Sequence, residues 1–318
     1  MVLLKINKLD YERMKHGELL GKYQNGNYEV RIYEDGTKIR ENDLDFLEAD
    51  FPESMDCKIS NRCPYGCRFC HEQSTPDGKH GDIMNAEFID KLRPGTEMAI
   101  GGGAVTGHPD LIPFLKKLKS IGVIPSITVN QREYKDNFDL VNRLVEEKLI
   151  YGLGVSFTSF DDEFWDNVIK NNPNLVIHLI AGIHGGDVFD YFADKGVKIL
   201  ILGYKDFGRG HDLLQRANGI IQVQLNWLKE HIKEYANKYK VVSFDNLAIE
   251  QLEIKNILTK NEWERFYQGD DGTHTMYVDL VKKQFAKTST STKRYDLLDN
   301  IDDMFEVIKS ENKSKNKE

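Results

Sequence analysis

Cys63-Pro64-Tyr65-Gly66-Cys67-Arg68-Phe69-Cys70 carries three thiols in one tight loop, and a fourth cysteine, Cys57, lies just upstream. Three thiolates so close together match three corners of a [4Fe–4S] cubane. The fourth iron would then have no protein ligand and would be a Lewis-acid position for a cofactor or substrate. The alternative is a zinc knot with Cys57, His71 or His80 as fourth ligand. Against it, zinc sites favour paired Cys-x2-Cys units far apart in sequence, Cys57 falls on an expected strand, and His71 follows Cys70 directly. No cysteine remains elsewhere to staple distant segments, so the pattern reads as metal chemistry in a reducing compartment, not as disulfides.

Outward from this loop the chain alternates short apolar runs with amphipathic stretches. Strands are expected at 55–60, 98–100, 126–129, 153–157, 176–181 and 197–202. Between them, Leu111, Phe114, Leu115 and Leu118 form a helical stripe closed by Gly122, and Phe138, Val141, Leu144 and Val145 form another. Phe164, Trp165, Val168 and Ile169 form a third behind a cap at Asp161, and Asp187 to Phe192 a short fourth. Such alternation predicts parallel strands joined by helical crossovers, either as a barrel or as an open doubly wound sheet. Upstream, 27–33 and 37–40 flank Glu34-Asp35-Gly36, a hairpin signal, and 41–50 reads as a linker. Downstream, 214–239 reads as helix, 241–244 as a further strand, and Thr259 with Glu262 as a capping box. Residues 275–280 are expected to be an edge strand and Leu297, Ile301, Met304, Phe305 and Ile308 a last helical stripe. The division expected is an N-terminal extension (1–50), a core (51–212), a C-terminal extension or lid (213–309) and a polar, disordered tail (310–318).

The composition is that of an ordinary globular protein, with 318 residues, 40% hydrophobic and 30% charged, enough for a full α/β core. A net charge of −8 gives no footprint for non-specific nucleic-acid binding. No apolar run spans a bilayer and residues 1–10 lack a secretory-leader pattern, so no membrane partner and a cytoplasmic location are expected.

Cys63, Cys67, Phe69 and Cys70 together resemble the Cys-x3-Cys-x-aromatic-Cys signature of the radical S-adenosylmethionine (SAM) superfamily, placed after the first barrel strand as in that family. The resemblance covers about residues 55–210. It implies a partial, open (β/α)6 TIM-like barrel with an N-terminal hairpin and a C-terminal α/β extension. It also implies a [4Fe–4S] cluster on Cys63, Cys67 and Cys70, with SAM chelating the open iron through its amino and carboxylate groups. In that chemistry the reduced cluster cleaves SAM, and a 5′-deoxyadenosyl radical abstracts hydrogen from the substrate. An electron donor such as flavodoxin or ferredoxin is implied as partner.

Met98–Asp110 is similar to the family's glycine-rich second strand, so Gly101, Gly102 and Gly103 are expected at SAM, with Phe69 beside the cluster. The family usually follows these glycines with an acidic residue and proline. Here Ala104 and Val105 stand there, and the carboxylate contact is missing. Asn130 and Ser156 are expected at the SAM carboxylate or ribose, with helix capping as the plainer role for such residues. His178 is either a pocket contact or a satisfied core histidine. Leu202 and Tyr204, at the end of the sixth strand, are expected to frame adenine, with Lys205 at the pocket mouth. His71 and Glu72 are read either as neighbours of the cluster or as part of a solvated loop. Arg209 is read as a clamp for a substrate carboxylate or phosphate, or as part of a helix-leading loop, and Asp245 and Asn246 as helix caps first and site residues second. His16, His231 and His274 show no partner pattern. The hairpin and the C-terminal helices are expected to close the open barrel. Thr273–Phe285 reads as a lid, or as a remnant of a module for a second cluster, for which no cysteines remain. The substrate expected first is a peptide or protein, then a small metabolite or nucleotide. A radical SAM fold that has lost turnover and a zinc-stabilised, non-catalytic binding protein are the rival readings.

Overall fold

The computed structural model describes residues 15–44 and 46–315, so 1–10 lie outside it. Its strands are β1 (Leu19–Asn25), β2 (Tyr28–Tyr33), β3 (Lys38–Glu41), β4 (Ser54–Ser60), β5 (Glu97–Gly102), β6 (Ile124–Asn130) and β7 (Gly152–Ser156). Then follow β8 (Leu175–Ile180), β9 (Lys198–Leu202), β10 (Val241–Phe244), β11 (Thr275–Asp279), β12 (Gln284–Ala286) and β13 (Tyr295–Asp296). The large sheet has the order β10-β9-β8-β7-β6-β5-β4-β11-β12-β13. Its middle is the six expected strands, each parallel to the next. The C-terminal extension adds β10 in parallel beside β9 and β11 in parallel beside β4. β11 is therefore interior and not an edge, because β12 pairs with its other side. It carries Met276 and Val278, both buried, as an interior strand must. β10 and β11 share no ladder, and the curved sheet stays open between them.

Alternation along the strands sorts the side chains. Cys57 and Ile59 of β4, Met98 and Ile100 of β5, Ile127 and Val129 of β6 and Leu153 and Val155 of β7 are all buried. They join one core with Leu111, Phe114, Leu115 and Leu118 of the helix Leu111–Ser120 and with Trp165 of the helix Asp162–Asn171. Asp161 caps the latter helix through the Phe164 N–H, and Thr259 with Glu262 makes the capping box, as expected. The opposite parity, with Asp56, Lys58, Ala99, Gly101, Ser126, Thr128, Gly154 and Ser156, lines an internal cavity of about 950 Å³.

β1, β2 and β3 form a separate antiparallel sheet, in which β1 was not anticipated because its alternation is weak. The expected hairpin is there, and it docks away from the cysteine loop. Its tip, residues 34–37, sits at the opposite end, where the parallel strands begin. Lys198 Nζ donates to the Asp35 carbonyl at 2.8 Å and Asn174 Nδ2 to the Glu34 carbonyl at 2.6 Å. The hairpin is thus the floor of the cavity. The helix Ile301–Lys315 runs on past Ser310, where a disordered tail was expected. Among the described residues no helix is long and apolar enough to cross a membrane.

Glu53, fully buried, ties this floor to β4 and β11. Arg40 donates to both its oxygens (2.8–3.0 Å), Tyr28 donates to it at 2.5 Å, and Lys38 lies 3.2 Å away. His274, which showed no partner pattern in sequence, contacts Tyr28 at 3.0 Å, and burial pushes its pKa down to about 4. Burial works to raise the Glu53 pKa, but Arg40, Lys38 and the Tyr28 hydroxyl outweigh it and lower it to about 2. A lowered carboxyl pKa contributes stability that is complete above the ordinary value of 4.5 and lost as pH falls towards 2. Glu53→Gln is therefore expected to cost about 3–5 kcal/mol at pH 7. Urea unfolding at several pH values checks it: the gap between wild type and variant should narrow steadily below pH 4.5.

Candidate cluster and cofactor site

The cysteine loop follows β4 at the end of the cavity opposite the hairpin. Cys63, Cys67 and Cys70 are free, partly exposed thiols, and all three line the cavity. The loop is closed at its base by the isolated bridge Arg62–Thr75, with the Cys63 N–H on the Thr75 carbonyl at 2.8 Å, and beyond that it has only turns and is held from outside. Arg209 donates through Nε to the Cys67 carbonyl (2.9 Å), through Nη1 to the Ser74 carbonyl (3.0 Å) and through its main-chain N–H to the Cys70 carbonyl (3.1 Å). Arg209 opens the helix Arg209–Tyr235, as the helix-leading reading expected, and from there it clamps the cysteine loop. Gly208 makes the approach possible: its φ is +56°, and a Cβ there would lie 2.6 Å from the His71 carbonyl oxygen. On the other flank, Arg132 donates to the Tyr65 carbonyl at 2.7 Å and lies 3.9 Å from Cys67 Sγ. Burial raises the Cys63 thiol pKa, and the nearby Glu133, Cys67 and Cys70 add to the rise.

Of the fourth ligands considered for zinc, Cys57 points away from the cavity into the helix-packed core, where burial drives its thiol pKa far up. His80 bonds Ser60 Oγ at 3.0 Å and packs on His108. His71 lines the cavity, and Cys57 borders it while its thiol stays buried. Among the described residues no three His, Cys, Asp or Glu side chains converge as a single ion requires. A zinc ion draws its thiolates to about 2.3 Å from one point, whereas a cubane keeps them apart on separate irons. The three thiols of one loop, with open volume in front of them, suit the cubane.

Phe69, Gly101, Gly102, Gly103, Asn130, Ser156, His178, Leu202 and Tyr204 all line this same cavity. The three glycines differ in purpose. A Cβ on Gly102 or Gly103 would lie 2.4 Å from the Ser60 and 2.3 Å from the Arg62 carbonyl oxygen, so these two let β5 close on the chain entering the cysteine loop. Gly101 alone borders open space. Asn130 caps the helix Gln131–Asp136 through the Glu133 N–H, leaving its amide nitrogen towards other partners. His178 has no hydrogen bond among the described residues, and burial lowers its pKa to about 4, so its ring is neutral at pH 7. Tyr204 offers only ring surface: Gln251 takes its N–H and carbonyl, and its hydroxyl donates to the Gly210 carbonyl.

Charges also face the cavity. Lys58, buried, pairs with Glu72 (2.5 Å) and Asp279 (3.3 Å), and Tyr277 donates to Glu72 at 3.2 Å. Burial raises the Glu72 pKa, but His71 and Lys58 outweigh it and hold the group ionised. Glu72 is therefore part of a fixed network beside the thiols and not of a solvated loop. Asp56 has no hydrogen bond or ion pair among the described residues. It is wetted by the cavity yet ringed by protein, so its pKa is raised, against the pull of Lys205. Asp245 caps the helix Asn246–Gln251, as expected, and also lines the cavity. Asp56 and Lys58 went unread in the sequence, although acid and base at alternate positions of an otherwise apolar strand were a signal for a polar inner face. Glu133, contributed by the next helix, had no local signal.

No family model matches this chain, and no curated protein matches it. Among solved structures it is similar to SuiB of Streptococcus suis. Against SuiB bound to the precursor peptide SuiA, identity is 14% over 77% of this chain and 62% of that one, with a TM-score of 0.52. Against SuiB bound to S-adenosylmethionine the figures are 13%, 78%, 62% and 0.51. Against a third SuiB structure they are 12%, 90% and 84%, with a TM-score of 0.55. In the first two the match spans less than two thirds of the SuiB chain. At such identities the likeness is one of fold.

The clamp on the cysteine loop has a direct test. Arg209→Ala is expected to cost about 1.5–3 kcal/mol and to speed amide exchange across residues 63–75 at least about ten-fold, read by hydrogen-exchange mass spectrometry. Unchanged exchange there would show that the loop holds itself.

Proposed function

We propose that this chain is a radical SAM enzyme that acts on a peptide or protein substrate. The observation that carries the proposal is the meeting, in one cavity, of three unpaired thiols of the Cys-x3-Cys-x-Phe-Cys loop and the glycine-bearing end of β5. The fold likeness to a protein solved with SAM supports it. When bound, the [4Fe–4S] cluster and SAM supply an adenosyl radical that removes a hydrogen atom from an unactivated carbon. The chain's own residues do the rest. Cys63, Cys67 and Cys70 would hold the cluster, and Arg209 keeps their loop at the cavity mouth. Phe69, Gly101, Gly102 and Gly103, Asn130, Ser156, His178, Leu202 and Tyr204 form the wall against which SAM would lie.

A reactive radical needs a site that excludes water. The hairpin floor and the helix-packed sheet wall off the cavity on every side but the mouth and the gap between β10 and β11. At about 950 Å³ the cavity lies at the upper end of ligand-pocket sizes, room for SAM and one further group the size of a side chain. An extended peptide presenting one side chain suits that space. One of the similar SuiB structures holds a precursor peptide, which favours the same substrate class.

The test is to purify the protein without oxygen, reconstitute it with iron and sulfide, and assay 5′-deoxyadenosine formation from SAM with dithionite. Wild type is expected to form it, and a Cys63→Ala, Cys67→Ala, Cys70→Ala variant to fall to the no-enzyme level. Stoichiometric zinc with intact SAM would replace this reading with that of a zinc-stabilised binding protein. A loaded cluster with intact SAM would point to a fold that has lost turnover.

A further inference from the structure

We infer that Glu133 supplies the carboxylate that receives the methionyl amino group of SAM, in place of an acid on the glycine-bearing strand; this rests on the radical SAM reading. SAM brings to the site an amino group whose N–H bonds need an acceptor, and in a closed cavity an anionic acceptor is the strongest. The segment after Gly103 offers none: Ala104 and Val105 are apolar, and neither lines the cavity.

The other carboxylates that line it are engaged or stand nearer the floor. Glu72 is neutralised by Lys58, Glu97 pairs with Lys38 near the floor, and Asp245 is tied to the Gly203 and Ala248 N–H groups. Glu34 and Asp35 belong to the hairpin tip, and Asp56 stands on β4 level with Ala99, two residues nearer the floor than the Lys58–Gly101 pair. Glu133 differs on three counts. It stands on the wall between Gly101–Gly103 and Asn130, next in sequence to Arg132, which donates to the Tyr65 carbonyl at 2.7 Å and lies 3.9 Å from Cys67 Sγ. It has no cationic partner among the described residues. It is only 2% exposed, yet it borders the cavity.

Its carboxylate is aimed with care. Oε1 accepts from both the N–H and the hydroxyl of Thr106, each at 2.9 Å, which fixes the side chain against the turn that follows Ala104. It therefore reaches, from the next helix, the neighbourhood of the segment that has lost its acid. Neutral donors do not make up for its burial, and its pKa is pushed up to about 7. A carboxylate so placed gains from the arrival of a cation or a strong N–H donor on its cavity side.

The experiment compares equilibrium binding of two probes, SAM and its analogue lacking the α-amino group, to reconstituted wild type and Glu133→Gln. The variant is expected to bind SAM about ten- to hundred-fold more weakly, the range for a hydrogen bond to a charged group, and to bind the desamino analogue as wild type does. If SAM affinity stays within about two-fold, or if both ligands weaken equally, Glu133 only staples the Thr106 turn and the inference falls. Should Glu133→Gln take up no iron, Glu133→Asp, which keeps the charge but withdraws it by one methylene, carries the same comparison. A wild type that loads iron but binds neither probe overturns the radical SAM reading and this inference together; selective loss in neither variant overturns this inference alone.

Discussion

Three thiols on an irregular loop are useful only if the loop cannot move, and the clamp by Arg209 is what holds it. Beyond the bridge at its base, a loop without ladder or helix bonds leaves its carbonyls to be satisfied by whatever packs against it. Here one residue, at the start of the long helix after β9, takes the carbonyls of Cys67, Cys70 and Ser74. Gly208 permits the contact, and Gly102 and Gly103 let β5 close on the other flank of the loop. The glycines and the arginine are therefore parts of one mechanical arrangement, and the cavity wall depends on it.

The second constraint is strand parity. A parallel sheet wrapped by helices on one face puts every other residue into an apolar core, and the remainder must suit whatever lies on the inner face. In this protein the remainder is small or polar from β4 to β7, while Val176, Ile180, Leu200 and Leu202 of β8 and β9 give the other wall an apolar lining, so the interior stays open where a filled barrel would hold branched side chains from every strand. Charges on that face must then be paired or wetted, since an isolated charge in an apolar interior is costly. Lys58, Glu72 and Asp279 follow the first route and Asp56 the second. The hairpin makes this hollow into a chamber by stopping its lower end, which is why its ties through Glu53 matter as much as the sheet itself.

Much of the fold was legible in the residues. The six central strands and the capped helices between them show plain apolar periodicity, and that periodicity reflects local burial. The errors fell where the partner lies far away in sequence. β11 looked like an edge because its neighbour β4 is more than 200 residues upstream, and nothing within a strand names its partner. The hairpin was rightly seen as a hairpin, but the end of the barrel at which it docks was not legible, because a turn signal fixes a local shape and not its docking. Arg209 was read as a ligand clamp or as part of a helix-leading loop, and its further partners, backbone carbonyls of the cysteine loop, leave no trace in the sequence.

What the amino-acid sequence determined by itself is the thiol spacing of the loop and the class of the scaffold. Thiol spacing is a property of consecutive residues, and strand–helix alternation is a property of short windows. The tertiary structure alone decided which thiol turns away from the others, with Cys57 sent to the core by the same alternation that sends Asp56 and Lys58 inward. It alone brought Glu133 to the glycine wall and His274 to Glu53, and made the hairpin a floor. These are meetings of side chains from separate elements, set by how the sheet curves and what its two faces exclude, and no window of sequence contains both partners.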